Sequence, residues 1–123
     1  MRTAAQVLGD EAEELVARHL RRLGWLILGR NLRVGRAEID ILAEDPGPPA
    51  MLVAVEVRWR ARRDYGLPEE TVDRAKIARL RAATLGLREG SRLPGAHIER
   101  LPVRVDLVAV EPGDHLRHYQ HMT

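Results

Sequence analysis

The chain contains no cysteine, which excludes both a disulfide framework and thiolate chemistry. It has a single lysine, Lys76; every other long cationic side chain is an arginine. Aromatic residues are scarce. Trp25, Trp59, Tyr65 and Tyr119 are too few and too dispersed to suggest a single-strand stacking platform. No apolar run approaches the roughly 20 residues that a membrane span needs. The opening stretch "MRTAAQVLGDEAEEL" turns acidic where a secretory signal would stay apolar, so no signal peptide is expected. These absences together suggest a cytoplasmic protein with no membrane association. There is no P-loop, no dinucleotide fingerprint and no activated Ser or Cys arrangement. Internal repeats and low-complexity blocks are also missing.

The 123 residues are enough for one domain with one core. The formal net charge of +2 says little about a nucleic-acid partner, but its distribution says more. Arg58, Arg60, Arg62 and Arg63 crowd one segment, and Arg30, Arg33 and Arg36 another. One cause is a codon-biased or heat-adapted composition, which the scarcity of Asn, Gln and Ser favours. The other is selection for forked contacts to phosphate.

Residues 8–23 are predicted to be helical. Leu8, Ala12, Leu15, Val16, His19, Leu20 and Leu23 follow i, i+3, i+4 spacing and form one apolar stripe. Asp10, Glu11, Glu13 and Glu14 fall in the first turns of that helix, where the dipole favours acids, and Gly24 ends it. Residues 25–32 read as a strand and "RVGR" as a turn. "AEIDILAE" alternates, with Ala37, Ile39, Ile41 and Ala43 on one face and Glu38, Asp40, Leu42 and Glu44 on the other. "DPGPP" is a loop. "MLVAVEVRW" is a third strand, with Val53, Val55, Val57 and Trp59 opposite Leu52, Ala54, Glu56 and Arg58. Pro68 suits a first helical position, so a second helix is predicted from there to Leu85, stopping at Gly86. "LPVRVDLVAVE" is a fourth strand. The class is α/β: a mixed four-stranded sheet flanked by helices, in the order α-β-β-β-α-β. Residues 1–112 make a single domain, and 113–123 read as a loosely structured tail.

An acid inside a run as apolar as "LVAVEV" calls for explanation, because unpaired burial is costly. Asp40 and Glu56 lie on neighbouring strands and are expected to converge on one side of the sheet. Two close carboxylates repel, so one must protonate or a cation must join them. Magnesium suits the position: it takes oxygen ligands, often one or two carboxylates, with phosphate and water completing its shell. Such an ion polarises a phosphodiester and activates water. Arg58 shares the face of Glu56 and can stabilise developing negative charge. The competing account is a cross-strand ladder of Asp, Glu and Arg on a half-exposed face. His115, His118 and His121 repeat every third residue, but they read as a solvated tail rather than a metal cluster. His19 reads as a core or rim residue.

At these residues the chain resembles the PD-(D/E)xK nuclease superfamily, and more closely the YraN-type family of endonuclease-like bacterial proteins. The segments carrying the resemblance are "GDEAEELVARHL", "GWLILGRNLR", "AEIDILAED", "VAVEVRWR", "YGLPEETVDRAK" and "VRVDLVAV", in that order between residue 9 and about 110. Each is weak alone; six in sequence are specific. The resemblance implies a restriction-endonuclease-like core. It implies Asp40 and Glu56 as metal ligands for Mg2+, with Mn2+ as an alternative, and Glu13 as an acid from the first helix. A dipole-favoured surface role is the other account of Glu13. Glu38 is an auxiliary ligand or a salt-bridge partner. Ala12 and Ala37 stand where the family usually has glycine. Arg58 stands where the motif has lysine, a larger change, because arginine stays protonated and is a poor base. Lys76 falls among Val72, Ala75, Leu80 and Ala83 on the next helix. It either snorkels outward or supplies the missing ammonium.

The expected activity is metal-dependent cleavage of DNA phosphodiesters, branched or structured DNA included. Asp40, Glu56, Arg58 and Lys76 are the catalytic candidates, and Arg60, Arg62 and Arg63 would contact neighbouring backbone. A resolvase-like role would favour a homodimer. The alternatives are an inactive nucleic-acid-binding protein of the same fold and a protein-interaction module.

Overall fold

The computed structural model describes residues 2–60, 73–90, 93 and 95–122. Helix α1 spans Ala4–Arg22. It starts four residues before the predicted start because Thr3 and Gln6 form a reciprocal capping box. The acids Asp10 to Glu14 therefore lie beyond the first turn, and the dipole does not account for them. The buried stripe is Ala12, Glu13, Val16, Ala17 and Leu20, while Leu8 and Leu23 at the ends of the predicted stripe are exposed.

Strands β1 (Leu26–Val34), β2 (Ala37–Asp45) and β3 (Met51–Trp59) form an antiparallel meander. Helix α2 (Arg74–Glu89) then crosses over to β4 (Val103–Glu111), which lies parallel to β3. A short 3-10 turn, Ala96–Arg100, precedes β4. The predicted start of α2 at Pro68 falls outside the described residues. Among those described, Asp73 caps the helix by accepting from the Lys76 backbone N–H. The helix does not stop at Gly86. It runs on to Glu89 with Gly90 as its C-cap, because the Gly90 N–H still reaches the Gly86 carbonyl.

The tail is not loose. His115–Tyr119 forms β5, antiparallel to β4, so the sheet has five strands in the order β1-β2-β3-β4-β5. A fifth strand is needed because β4 is buried from Arg104 to Glu111. As an edge strand it would present an unpaired apolar backbone to solvent. Gly113 and Asp114 supply the positive φ angles of the connecting turn. The tail histidines do not gather. His118 instead places Nε2 2.8 Å from Oδ2 of fully buried Asp106, and its Nδ1 lies 3.2 Å from His19 Nε2.

Two apolar layers sandwich the sheet. On one face α1 packs Val16, Ala17 and Leu20 against Ile41, Ala43, Val53, Val55, Val108 and Val110. On the other, α2 packs Ile77, Leu80 and Leu87 against Ile39, Leu42, Leu52, Ala54, Val105 and Leu107. The observed core thus keeps the α-β-β-β-α-β order expected from sequence, with β5 added at its edge.

Candidate functional site

Ile39 and Ile41 should share a face by strict alternation, yet Ile39 sits in the α2 core and Ile41 in the α1 core. The alternation slips by one residue at Asp40. Both isoleucines are thereby buried, on opposite faces. The β2–β3 register runs from Asp45 opposite Met51 to Ile41 opposite Val55. Beyond it, the Asp40 side chain takes over from the backbone: its Oδ2 accepts from the Val57 N–H at 2.9 Å. On the other neighbour, Asn31 lies between the pairs Arg30–Ile41 and Leu32–Ile39, opposite Asp40, at a φ of 51°. Asparagine tolerates this left-handed conformation better than most residues.

Asp40 and Glu56 consequently stand where β2 and β3 part, and the gap opens to both faces of the sheet. On the α2 side Asp40 and Glu56 line a cleft of about 280 Å³ with Arg36, Glu38, Lys76 and Arg79. On the α1 side the same two acids line a cleft of about 250 Å³ with Gly9, Glu13, Arg58 and Trp59. The pair is the wall common to both.

Each acid has a distinct environment. Asp40 is pushed up to about 7, chiefly by burial and then by the charge of Glu56. The Val57 hydrogen bond opposes this, and Glu13 and Glu38 add to it. Glu56 is 7% exposed, and its Oε1 lies 3.0 Å from Lys76 Nζ and 3.6 Å from Arg58 Nε. The Arg58 Nε is buried and makes no hydrogen bond. Glu13 is also buried; burial raises its pKa, while Arg30 and then Asn31 pull it back. Its Oε1 is without a hydrogen bond, 3.8 Å from Arg30 Nη2. Glu38 is exposed and pairs loosely with Arg33 at 3.8 Å.

This donor set fits a hard divalent cation. The carboxylates of Asp40 and Glu56 repel each other, and a third acid nearby has an orphaned buried oxygen. Among the described residues, no three Asp, Glu or His side chains already converge at metal-ligand spacing. Magnesium does not require such a cage, because it keeps several waters and takes only one or two carboxylates.

The likeness to known proteins follows the same stretch of chain. The model of the uncharacterised protein family UPF0102 matches residues 12–110. The chain belongs to this family. A UPF0102 protein of Symbiobacterium thermophilum is 44% identical over 108 residues, covering 86% of this chain and 83% of that one. One from Carboxydothermus hydrogenoformans is 36% identical over 119 residues, covering 94% and 93%. Among solved structures, Pyrococcus furiosus SfsA in complex with Ca2+ matches with a TM-score of 0.33 at 17% identity. The match covers 92% of this chain and spans 62% of the length of that one.

Within this UPF0102 chain, the site residues expected from sequence separate into three groups. Asp40, Glu56, Arg58 and Lys76 stand together, and Glu13 approaches from α1. Glu38 lies at the rim. Arg60 follows the last residue of β3, with its backbone N–H donating to the Val110 carbonyl at 2.8 Å, whereas Arg62 and Arg63 fall outside the described residues. Arg36 and Arg79 line the α2-side cleft, although sequence reading gave neither a role there. Their signal was only a place in an arginine cluster and on the Lys76 side of a helix. Trp59 lines the α1-side cleft, and nothing but its alternation with Val57 pointed to that position.

Proposed function

We propose that this protein hydrolyses phosphodiester bonds of DNA, branched or otherwise structured DNA included. A magnesium or manganese ion would be held by Asp40 and Glu56, with Glu13 assisting directly or through water. The observation that carries this reading is Asp40 itself. Its carboxyl is half-buried beside the buried Glu56 carboxylate, and burial and that neighbouring charge push its pKa up to about 7. Bound there, the metal would polarise the phosphodiester and lower the pKa of its water.

The chain's own residues supply the rest. Glu56 holds Lys76 Nζ at 3.0 Å, next to the acid pair and facing the α2-side cleft. An ammonium in a partly buried site can exchange a proton, which a guanidinium does not. Lys76 therefore serves the role that Arg58, at the usual lysine position of the motif, cannot. Arg58 keeps the electrostatic part, its fixed charge beside the site favouring negative charge on phosphate. Arg36, Arg79 and Arg60 flank the site as contacts for neighbouring phosphates. A cytoplasmic location and, for two-fold symmetric junctions, a homodimer belong to the same proposal.

A second reading is favoured by one observation: Glu56 already has two cationic neighbours, so half of the acid pair is balanced without metal. In that reading the protein binds nucleic acid without cutting it. The deciding experiment is a cleavage assay on linear, flapped and four-way DNA with magnesium or manganese. Asp40→Ala serves as the control. Metal-dependent cleavage lost in that variant supports hydrolysis. Salt-sensitive binding without turnover on any substrate supports the second reading.

A further inference from the structure

Trp25 and Trp59 have opposite environments. Trp25 is 7% exposed and packs in the α1 core, whereas Trp59 is 39% exposed and lines the α1-side cleft. Burying an indole is strongly favourable, so one left open at the edge of a polar cleft is available for a ligand with an aromatic face. The cleft supplies the other half of such a ligand's chemistry. Asp40 and Glu56 form its wall, and the buried Nε of Arg58 is without a hydrogen bond. Gly9 of α1 lines the same cleft as Trp59, and a Cβ placed there would meet nothing within 4 Å. The space beside Gly9 is therefore open.

The two mouths differ in kind. On the α2 side the described lining includes the cations Arg36, Lys76 and Arg79. On the α1 side, beside Glu13 and the shared acid pair, it includes an indole, a glycine and a single cation, Arg58. A nucleic-acid strand has the same asymmetry: a charged backbone, and bases with π faces. Resting on the phosphodiesterase reading above, we propose that Trp59 stacks on a base next to the reacting phosphate, while the backbone leaves through the basic mouth. That base must be free of its own stack. The preferred substrate is then single-stranded or flapped DNA, with at least one unpaired nucleotide beside the cleavage point, over intact duplex. One aromatic residue is not a platform for many bases, but base-to-indole stacking acts one base at a time.

The test measures binding without divalent cation, so that cleavage cannot interfere. Wild type, Trp59→Ala, Trp59→Phe and Gly9→Leu are titrated at low salt with a short oligonucleotide offered as single strand, 5′ flap and blunt duplex. Thermal unfolding of each variant verifies its fold. Wild type should bind the single strand and the flap more tightly than the duplex. Trp59→Ala should lose about 5- to 150-fold in single-strand affinity, the range that stacking on one aromatic residue supports, and should lose the preference over duplex. Trp59→Phe should retain most of both. Gly9→Leu, which adds bulk to the open space in the same cleft, should reproduce the loss with Trp59 intact. Unchanged affinity and preference in folded Trp59→Ala would overturn the stacking role and leave the hydrolysis reading standing. Trp59-dependent binding combined with no turnover on any substrate would retire hydrolysis and keep the stacking role. No binding of any oligonucleotide would overturn both.

Discussion

Lys76 Nζ lies 3.0 Å from Glu56 Oε1, across the space between α2 and the end of β3. The chain's only lysine thus sits against the acid that its own strand follows with arginine at the position two residues on. If Lys76 handles the proton in hydrolysis, Lys76→Ala should lower kcat by about 100-fold or more, the usual range for a positioned acid or base. Lys76→Arg should not restore it, since charge survives but proton exchange does not. The discriminating variant is Arg58→Lys in the Lys76→Ala background. Partial recovery of cleavage there, with a changed pH–rate profile, is expected from an ammonium returned two residues from Glu56. A Lys76→Ala enzyme with wild-type kcat and pH profile would remove Lys76 from the chemistry.

Asp40 gives a stability signature independent of activity. Its folded pKa of about 7 stands above the ordinary value of 3.8, so the folded state holds this proton more tightly than the unfolded chain. The associated stability is present at about pH 4 and is lost as pH rises through about 7. Asp40→Asn keeps an oxygen for the Val57 N–H and removes the charge. It should raise stability at pH 8 by roughly 1–3 kcal/mol, allowing for solvent relaxation around a shift worth about 1.4 kcal/mol per pH unit. The gain should fade towards pH 4. Magnesium should raise the Tm of the wild type at pH 8 and do so less for Asp40→Asn. Chemical denaturation across pH measures the first effect and calorimetry the second. A variant no more stable than wild type at pH 8 contradicts the charge repulsion assigned to the site.

The sequence reading reached these acids but not their setting. The apolar periods located three meandering strands, a crossover and a buried parallel strand, because each is a core signal that a single segment carries. Asp40 and Glu56 were legible for the same reason: an acid amid valines and isoleucines has few inexpensive explanations. The slip between Ile39 and Ile41 was hidden, since it depends on the Asp40 side chain of β2, rather than a backbone carbonyl, accepting from the Val57 N–H of β3. Lys76 was ambiguous because helical spacing gives a face, not a reach. The boundaries of α1 and α2 moved for local reasons: a Thr-Gln capping box and a tolerated mid-helix Gly86. For β5 the signal was present in "PGD" followed by "HLRHY", but it was outweighed by the polarity of the tail.

That polarity has a structural partner in Asp106. Burial pushes its carboxyl up. Hydrogen bonds from His118 and Arg104, and the Arg104 charge, outweigh that and hold it below the ordinary carboxylate range. Arg104 donates to both its oxygens, at 2.8 and 3.0 Å, and is only 4% exposed. Asp106→Ala would leave that guanidinium buried with Asp45 as its remaining charged partner. A loss of about 3–5 kcal/mol is expected, typical of breaking a buried pair from one side. The pH dependence has the opposite sign to that of Asp40. Asp106 contributes stability above its unfolded value of 3.8 that is lost at lower pH. His19 is lowered by burial, then by His118 and Arg22, so its contribution is present above 6.5 and declines on acidification. In Asp40→Asn, where the opposing contribution is gone, stability should fall more steeply between about pH 6.5 and pH 4 than in wild type. Urea midpoints of both proteins over that range measure the difference.

Removing β5 tests what the fifth strand is for. A chain ending at Glu111 keeps the whole α-β-β-β-α-β core and both clefts at Asp40 and Glu56, since no residue of His115–Tyr119 lines either. It loses the antiparallel partner of β4 from Leu107 to Glu111, the packing of Leu116 on the α1 core, and the His118 hydrogen bond to Asp106. The newly exposed edge is apolar from Leu107 to Val110, with Glu111 as the one charge in the stretch, the kind that pairs with another chain. The truncated protein should be destabilised and should associate as its concentration rises, visible as growth in size by light scattering. Low concentration should preserve metal-dependent behaviour at the acid pair, because its loss from the monomer would tie β5 to the site rather than to the sheet. Leu116→Asp should reproduce the destabilisation with the strand still present, by placing a charge against the α1 core without a partner.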